Sequence, residues 1–247
     1  MLEVQGLTIR ADGRDLVRDL ALRLPAQGIT ALIGPSGCGK TSVLKWLAGI
    51  LPQGLGATGT LRLDGAPIAP PHRALSYQPQ GDALFPWLTI AQNAALGLTV
   101  AGLPRRAAHA RVAPLFAAFG LAGCEALYPA QLSGGMRQRA AFLRTMVQDS
   151  RLVLLDEPFS ALDAVTRLRM QDWLRSRLQA APRAVLLVTH DLHEATGLAD
   201  RILVMAAGPG RIRAEIPVPI PQDQRSEAAL APLRETLKTL LLEDPPR

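Results

Sequence analysis

The chain has 247 residues, of which 48% are apolar, 19% charged and only 4% aromatic. That length suits one large domain with an insertion or tail, and the aliphatic content suits a substantial core; a disordered chain and a self-contained multidomain machine are both excluded. The formal charge of +6 is mostly arginine, since lysine occurs only at Lys40, Lys45 and Lys238. Without a local cluster this marks a solvated surface, and no nucleic acid is expected as a partner.

Two cysteines, Cys38 and Cys124, are too few for a disulfide scaffold and point to a reducing compartment. The amino terminus lacks the basic start and apolar centre of a signal peptide, and no apolar run approaches the ~20 residues that span a bilayer. Work at a membrane would therefore pass through a partner or a surface.

In chain order, residues 2–9 and 16–24 alternate like strands around the turn former Asp12-Gly13, which suggests an antiparallel opening. GITALI at 28–33 is a short buried strand, and the helical SVLKWLAG after it stops at Gly49. Thr60 to Leu63 and Arg73 to Tyr77 are further strand candidates. From about residue 87 to 148 the chain turns alanine-rich, which predicts a helical insertion. LVLLD at 152–156, a helix from 163 to 179, AVLLVTH at 184–190, a helix from 192 to 198, RILVM at 201–205 and a strand at 211–216 restore strand-helix alternation. The predicted fold is α/β, with a mostly parallel sheet covered by helices. A proline-rich linker and an amphipathic helix at about 226–242 close the chain.

The strongest local signal is GPSGCGKT, residues Gly34, Pro35, Ser36, Gly37, Cys38, Gly39, Lys40 and Thr41, followed by Ser42. It fits the phosphate-binding pattern G-x-x-x-x-G-K-[ST] between a strand and a helix. The glycines let backbone amides turn inward at a helix amino end, Lys40 can reach the β/γ-phosphates, and Thr41 can offer a hydroxyl to Mg²⁺. A glycine-rich helix cap would explain the glycines but not the Lys-Thr pair. The second signal is LVLLDEP, which sets Asp156 and Glu157 at the carboxyl edge of a sheet strand, where such sheets bind ligands. There Asp156 suits the Mg²⁺ shell, and Glu157 suits the general-base task toward an attacking water.

With LSGG at Leu132 to Gly135 added, the sequence resembles the nucleotide-binding subunits of ATP-binding cassette transporters over roughly residues 1–215. The resemblance implies a P-loop NTPase core with an antiparallel amino-terminal subdomain, an inserted α-helical subdomain at about 87–148, and a carboxyl-terminal linker and helix at 216–247. It implies that Ser133, Gly134 and Gly135 serve the γ-phosphate of ATP held by a second copy of the chain in a head-to-tail dimer. Gln80 then resembles the glutamine that senses Mg²⁺ and the attacking water, with Gln78 as the alternative register. SALD, ending in Asp163, resembles the loop that crosses the dimer interface, and His190 the switch histidine at the γ-phosphate. His193 lies three residues on, without the further ligands a metal site needs. The aromatic ring that stacks on adenine in this family falls near Ala11, where no ring exists, which leaves Arg10, Arg14 or Val17 as replacements.

DALFPWLT at 82–89 and MAAGPGRI at 205–212 resemble the importer branch that handles nitrate, sulfonates, taurine or thiamine precursors. The implied protein uses ATP and Mg²⁺ at the cytoplasmic face of a bacterial membrane, with an integral permease and an extracytoplasmic solute-binding protein as partners. Phe85, Trp87 and Leu88 would receive a coupling helix of the permease. Two alternatives stand beside it: a DNA-processing ATPase of the same dimer type, and the energy-coupling subunit of an exporter or lipoprotein-release system. The first normally carries a long coiled coil between phosphate loop and signature, for which the spacing from Lys40 to Ser133 is too short.

Overall fold

Asp12 and Gly13 both adopt positive φ (48° and 75°), the handedness that a two-residue hairpin loop requires. They join β1 (Leu2–Ala11) to β2 (Arg14–Leu24), whose apolar faces are buried through Leu2, Val4, Leu7, Ile9, Val17, Leu20, Leu22 and Leu24. The computed structural model describes residues 1–243. After β3 (Gly28–Ile33) and α1 (Lys40–Ala48), the chain returns to this first sheet as β4 (Leu55–Leu63) and the short β5 (Ala66–Pro67), giving the order β2-β1-β4-β5. β4 begins five residues before the predicted Thr60. After half-buried Leu55, its GATGT stretch is exposed on both faces and has no alternation to read; pairing with β1 extends it.

The second sheet holds β3, β6 (Leu75–Gln78), β7 (Leu152–Asp156), β8 (Ala184–Val188), β9 (Arg201–Ala206) and β10 (Arg211–Pro217), in the order β10-β9-β3-β8-β7-β6. Its ladders are parallel except that between β9 and β10. Four of the five parallel strands, β3, β7, β8 and β9, are buried almost throughout, as strands covered on both faces must be. Alternation divides β7 between two cores. Leu152 and Leu154 pack with α1 and the first sheet, Val153 and Leu155 with the helices on the other face.

Those helices are α2 (Ile90–Val100), α3 (Arg105–Val112), α4 (Leu115–Ala118) and α5 (Gly134–Met146) in the insertion, then α6 (Ala164–Ala180), α7 (Leu192–Leu198) and α8 (Glu227–Leu242). Thr89 and Gln92 form a reciprocal cap on α2. Buried Asn93 bonds the backbone of Phe85, Leu88 and Thr89, fixing the turn after Gln80. Helix α8, capped by Ser226, packs on α7 and buries Leu230 and Leu237 in the same core. No described helix is long and apolar enough to cross a membrane.

This strand order has one consequence for chemistry. The carboxyl ends of β3, β6, β7 and β8 lie side by side, so the segments after them, carrying Lys40, Gln80, Glu157 and His190, leave the sheet along one edge.

Candidate active site

The phosphate loop runs between β3 and α1, wedged against β2 and β9. Gly39 sits at φ 99°, and a Cβ there would come within 2.6 Å of Val17 Cγ2. A Cβ on Gly34 would lie 2.4 Å from the Met205 carbonyl oxygen. Both positions therefore demand glycine for space, and Gly39 for conformation as well. Lys40 is largely buried, with Nζ donating to the carbonyls of Gly34 at 2.7 Å and Pro35 at 2.9 Å. Its ammonium is held inside the loop by neutral acceptors, which an anionic ligand can outcompete. A cleft of about 240 Å³ is lined by Leu16, Ser36, Gly37, Lys40, Thr41 and Glu157, together with Gly39 and Ser42. Cys38 is wholly buried, and burial pushes its thiol up, so only its backbone is available to a ligand.

Arg10, Arg14 and Val17, expected beside adenine, do not line this cleft. Val17 is fully buried, Arg10 is paired with Asp15, and Arg14 does not line the cleft; the apolar side chain that does is Leu16. Its place follows from Val17 turning inward, which turns its neighbour outward on β2.

Thr41 Oγ1 donates to Asp156 Oδ1 at 3.1 Å, and Tyr77 Oη donates to Asp156 Oδ2 at 3.3 Å. Asp156 is buried; burial raises its pKa, while the Thr41 and Tyr77 bonds pull it down. Tyr77 was not among the predicted site residues. Its signal was strand alternation, which turns residue 77 to the face opposite Ser76 and Gln78. Burial and the neighbouring Asp156 raise its phenol well above the ordinary value. A hydroxyl and a carboxylate at hydrogen-bond distance, beside a phosphate loop, form the hard oxygen donor set that suits Mg²⁺.

Glu157 takes the left-handed conformation, φ 47°, unusual for a residue with a side chain. Its N–H donates to the Val188 carbonyl at 2.9 Å, and its own carbonyl accepts from Ser160 Oγ at 3.0 Å and Gln138 Nε2 at 3.3 Å. The backbone is thus held where the side chain leaves the sheet toward the cleft. There Gln80 Nε2 donates to Glu157 Oε2 at 3.0 Å, and His190 Nδ1 lies 3.2 Å from Oε1. Gln80, rather than Gln78, meets this carboxylate; Gln78 is buried and both ends of its amide lack a hydrogen-bond partner among the described residues. His193 faces Glu227 at 3.5 Å.

Ser133, Gly134 and Gly135 do not line the Lys40 cleft of their own chain. Ser133 caps α5, its Oγ accepting from the Met136 N–H at 3.3 Å, and the two glycines form the helix's first residues. Asp163 caps α6 in the same way, accepting from the Thr166 N–H at 3.0 Å, and that bond holds its carboxyl below the usual range.

A family profile described as ABC transporter matches residues 17–160. The taurine import ATP-binding protein TauB of Yersinia pestis bv. Antiqua (strain Antiqua) is 37% identical over 212 residues, covering 86% of this chain and 82% of the relative. The aliphatic sulfonates import ATP-binding protein SsuB 2 of Burkholderia cenocepacia (strain HI2424) is 40% identical over 220 residues, covering 88% and 79%. Among solved structures, a dimeric ATP-binding cassette in a post-hydrolysis state with ADP and Pi superposes with a TM-score of 0.78 at 22% identity, covering 88% of this chain and 99% of that one.

Proposed function

This chain belongs to the ABC transporter family, and from that premise we propose that it is the ATP-hydrolysing subunit energising a membrane permease for import of small organic anions of the sulfonate class. The observation that carries the catalytic reading is the meeting of Gln80 and His190 on Glu157, one residue beyond the Asp156 that holds the phosphate loop's Thr41. The cargo class rests on the two importers described above. The permease is proposed as a separate chain, with this subunit at the cytoplasmic face and a solute-binding protein outside.

In this reading Lys40 leaves the Gly34 and Pro35 carbonyls for the β/γ-phosphates, and the loop amides share their charge. Thr41 and Asp156 would hold Mg²⁺, which when bound offsets charge on the phosphate oxygens. Glu157 takes a proton from the attacking water at a carboxylate oxygen. Gln80 orients that carboxylate and the water, and His190 steadies it from the other side. Ser133, Gly134 and Gly135 complete the site of a second copy, which is why they stand outside the Lys40 cleft of their own chain.

Glu157→Gln tests the catalytic reading. Nucleotide binding is expected to persist, because the loop and Asp156 are untouched, while turnover at saturating Mg-ATP falls about 10²–10⁴-fold. Turnover near the wild-type rate would overturn it.

A further inference from the structure

Arg167 lies in the first turn of α6, and its guanidinium reaches two loops at once. Nη2 donates to the Leu162 carbonyl at 3.1 Å, in the turn that ends at Asp163. Nη1 stands 3.8 Å from Asp191 Oδ2, one residue beyond His190. Its Nε is buried with no hydrogen-bond partner among the described residues. Arg167 also lines a small cavity of about 50 Å³ that Glu157, Ser160, Thr189, His190 and Glu194 share.

The two ends of this bridge are themselves fixed. Asp191 Oδ1 accepts from the N–H groups of His193 and Glu194, at 2.8 and 3.3 Å, and the Asp191 N–H donates to Thr189 Oγ1 at 3.0 Å. On the other side, the Leu162 N–H donates to the Phe159 carbonyl at 3.1 Å, and Asp163 caps α6. A planar fork can hold a carbonyl and a carboxylate in fixed relative positions; a single ammonium cannot.

We propose that Arg167 is a positioning residue that couples the Ser160–Asp163 turn to the His190 segment, so that the placement of the turn sets the placement of His190 against Glu157. The proposal rests on the reading of Glu157 and His190 as the catalytic pair. Arg167 faces Glu157 and His190 only across the small cavity and belongs to neither the phosphate loop nor the Mg²⁺ donors. Its influence therefore falls on turnover and leaves nucleotide capture to Lys40 and Thr41.

The test is steady-state hydrolysis of Mg-ATP by the full chain, with kcat and KM measured for wild type, Arg167→Gln, Arg167→Lys, Asp191→Asn and the Arg167→Gln/Asp191→Asn double variant. Asparagine keeps the helix cap that Asp191 supplies, so this variant removes only the charge. Arg167→Gln is expected to lower kcat about tenfold or more with KM changed less than about threefold, and lysine to recover little of the loss. The double variant should be about as slow as the slower single one, since both changes cut the same bridge. A kcat for Arg167→Gln within about twofold of wild type, full rescue by lysine, equal damage to kcat and nucleotide affinity, or additive losses in the double variant would each overturn the proposal. Glu157→Gln runs alongside. If it turns over normally, the catalytic reading itself fails; if it is slow while the Arg167 variants are not, only the coupling fails.

Discussion

Adjacent carboxylates with opposite surroundings illustrate how much one backbone angle decides. Asp156 ends an extended strand and is buried against Thr41 and Tyr77, whereas the left-handed turn at Glu157 sends the next side chain to Gln80 and His190. LVLLDEP shows both acids and the strand before them, but the turn between them depends on Val188, Ser160 and Gln138, which no local pattern connects to it. Gln78 is a simpler case: a buried amide without partners among the described residues costs about 1–3 kcal/mol, so Gln78→Met, which keeps the length and removes the polar atoms, should raise Tm. An unchanged or lower Tm in a thermal melt would refute this. Glu194 adds a pH dependence. Burial pushes its carboxyl from the ordinary 4.5 up to about 7, amid Asp191, Arg167, Gln171 and His193. Between those values the folded chain keeps a proton that the unfolded chain has lost. The stability this group contributes is complete below pH 4.5, declines as pH rises through 7, and stays lost above. Glu194→Gln should therefore stabilise the protein by up to about 3 kcal/mol near pH 8, with the gain shrinking toward pH 5. Melting curves at the two pH values check it, and a gap that does not change with pH would refute it.

The elements were legible in proportion to how strongly burial patterned them. Strands β3, β7, β8 and β9, hidden on both faces, are continuous apolar runs, and α6, α7 and α8 lie within about a residue of the positions expected. The first half of β4 was invisible because its partner strand, rather than its own side chains, makes it a strand. Least legible was the turn between β9 and β10. Gly210 donates its N–H to the Leu16 carbonyl at 2.9 Å and accepts at its own carbonyl from the Arg18 N–H at 3.0 Å, joining the two sheets beside the phosphate loop. A Cβ there would lie 2.1 Å from the Cys38 carbonyl oxygen. Gly210→Ala should thus push the loop itself, costing about 1–3 kcal/mol and weakening nucleotide binding, while Gly56→Ala, with open space around it, leaves affinity unchanged. Calorimetric titration with Mg-ATP and a thermal melt of each variant decide the matter; equal affinities would show that the contact does not reach the ligand.

At the scale of the molecule, one chain has two glycine-flanked helix starts, at Lys40 and at Gly134, but one Thr41–Asp156 pair. If the Ser133 end serves a second copy, Ser133→Arg and Lys40→Ala homodimers are both inactive, whereas mixing them puts both lesions in one composite site and leaves the other intact. Partial recovery of hydrolysis in the mixture is the expected outcome. No recovery, once mixed dimers are demonstrated and one intact site is known to turn over, would refute the two-site arrangement. The same global view bears on the strand order. Central β3 lies between β8 and β9, which begin at Ala184 and Arg201, so its only two neighbours are among the last parts of the sheet to be made. At ribosomal speeds of about 5–20 residues per second, roughly 8–30 s pass between the synthesis of β3 and that of β8. Throughout that interval GITALI has two bare edges and no sheet to join. A chain that stops short of Ala184 therefore leaves both edges of β3 open to pairing with another chain.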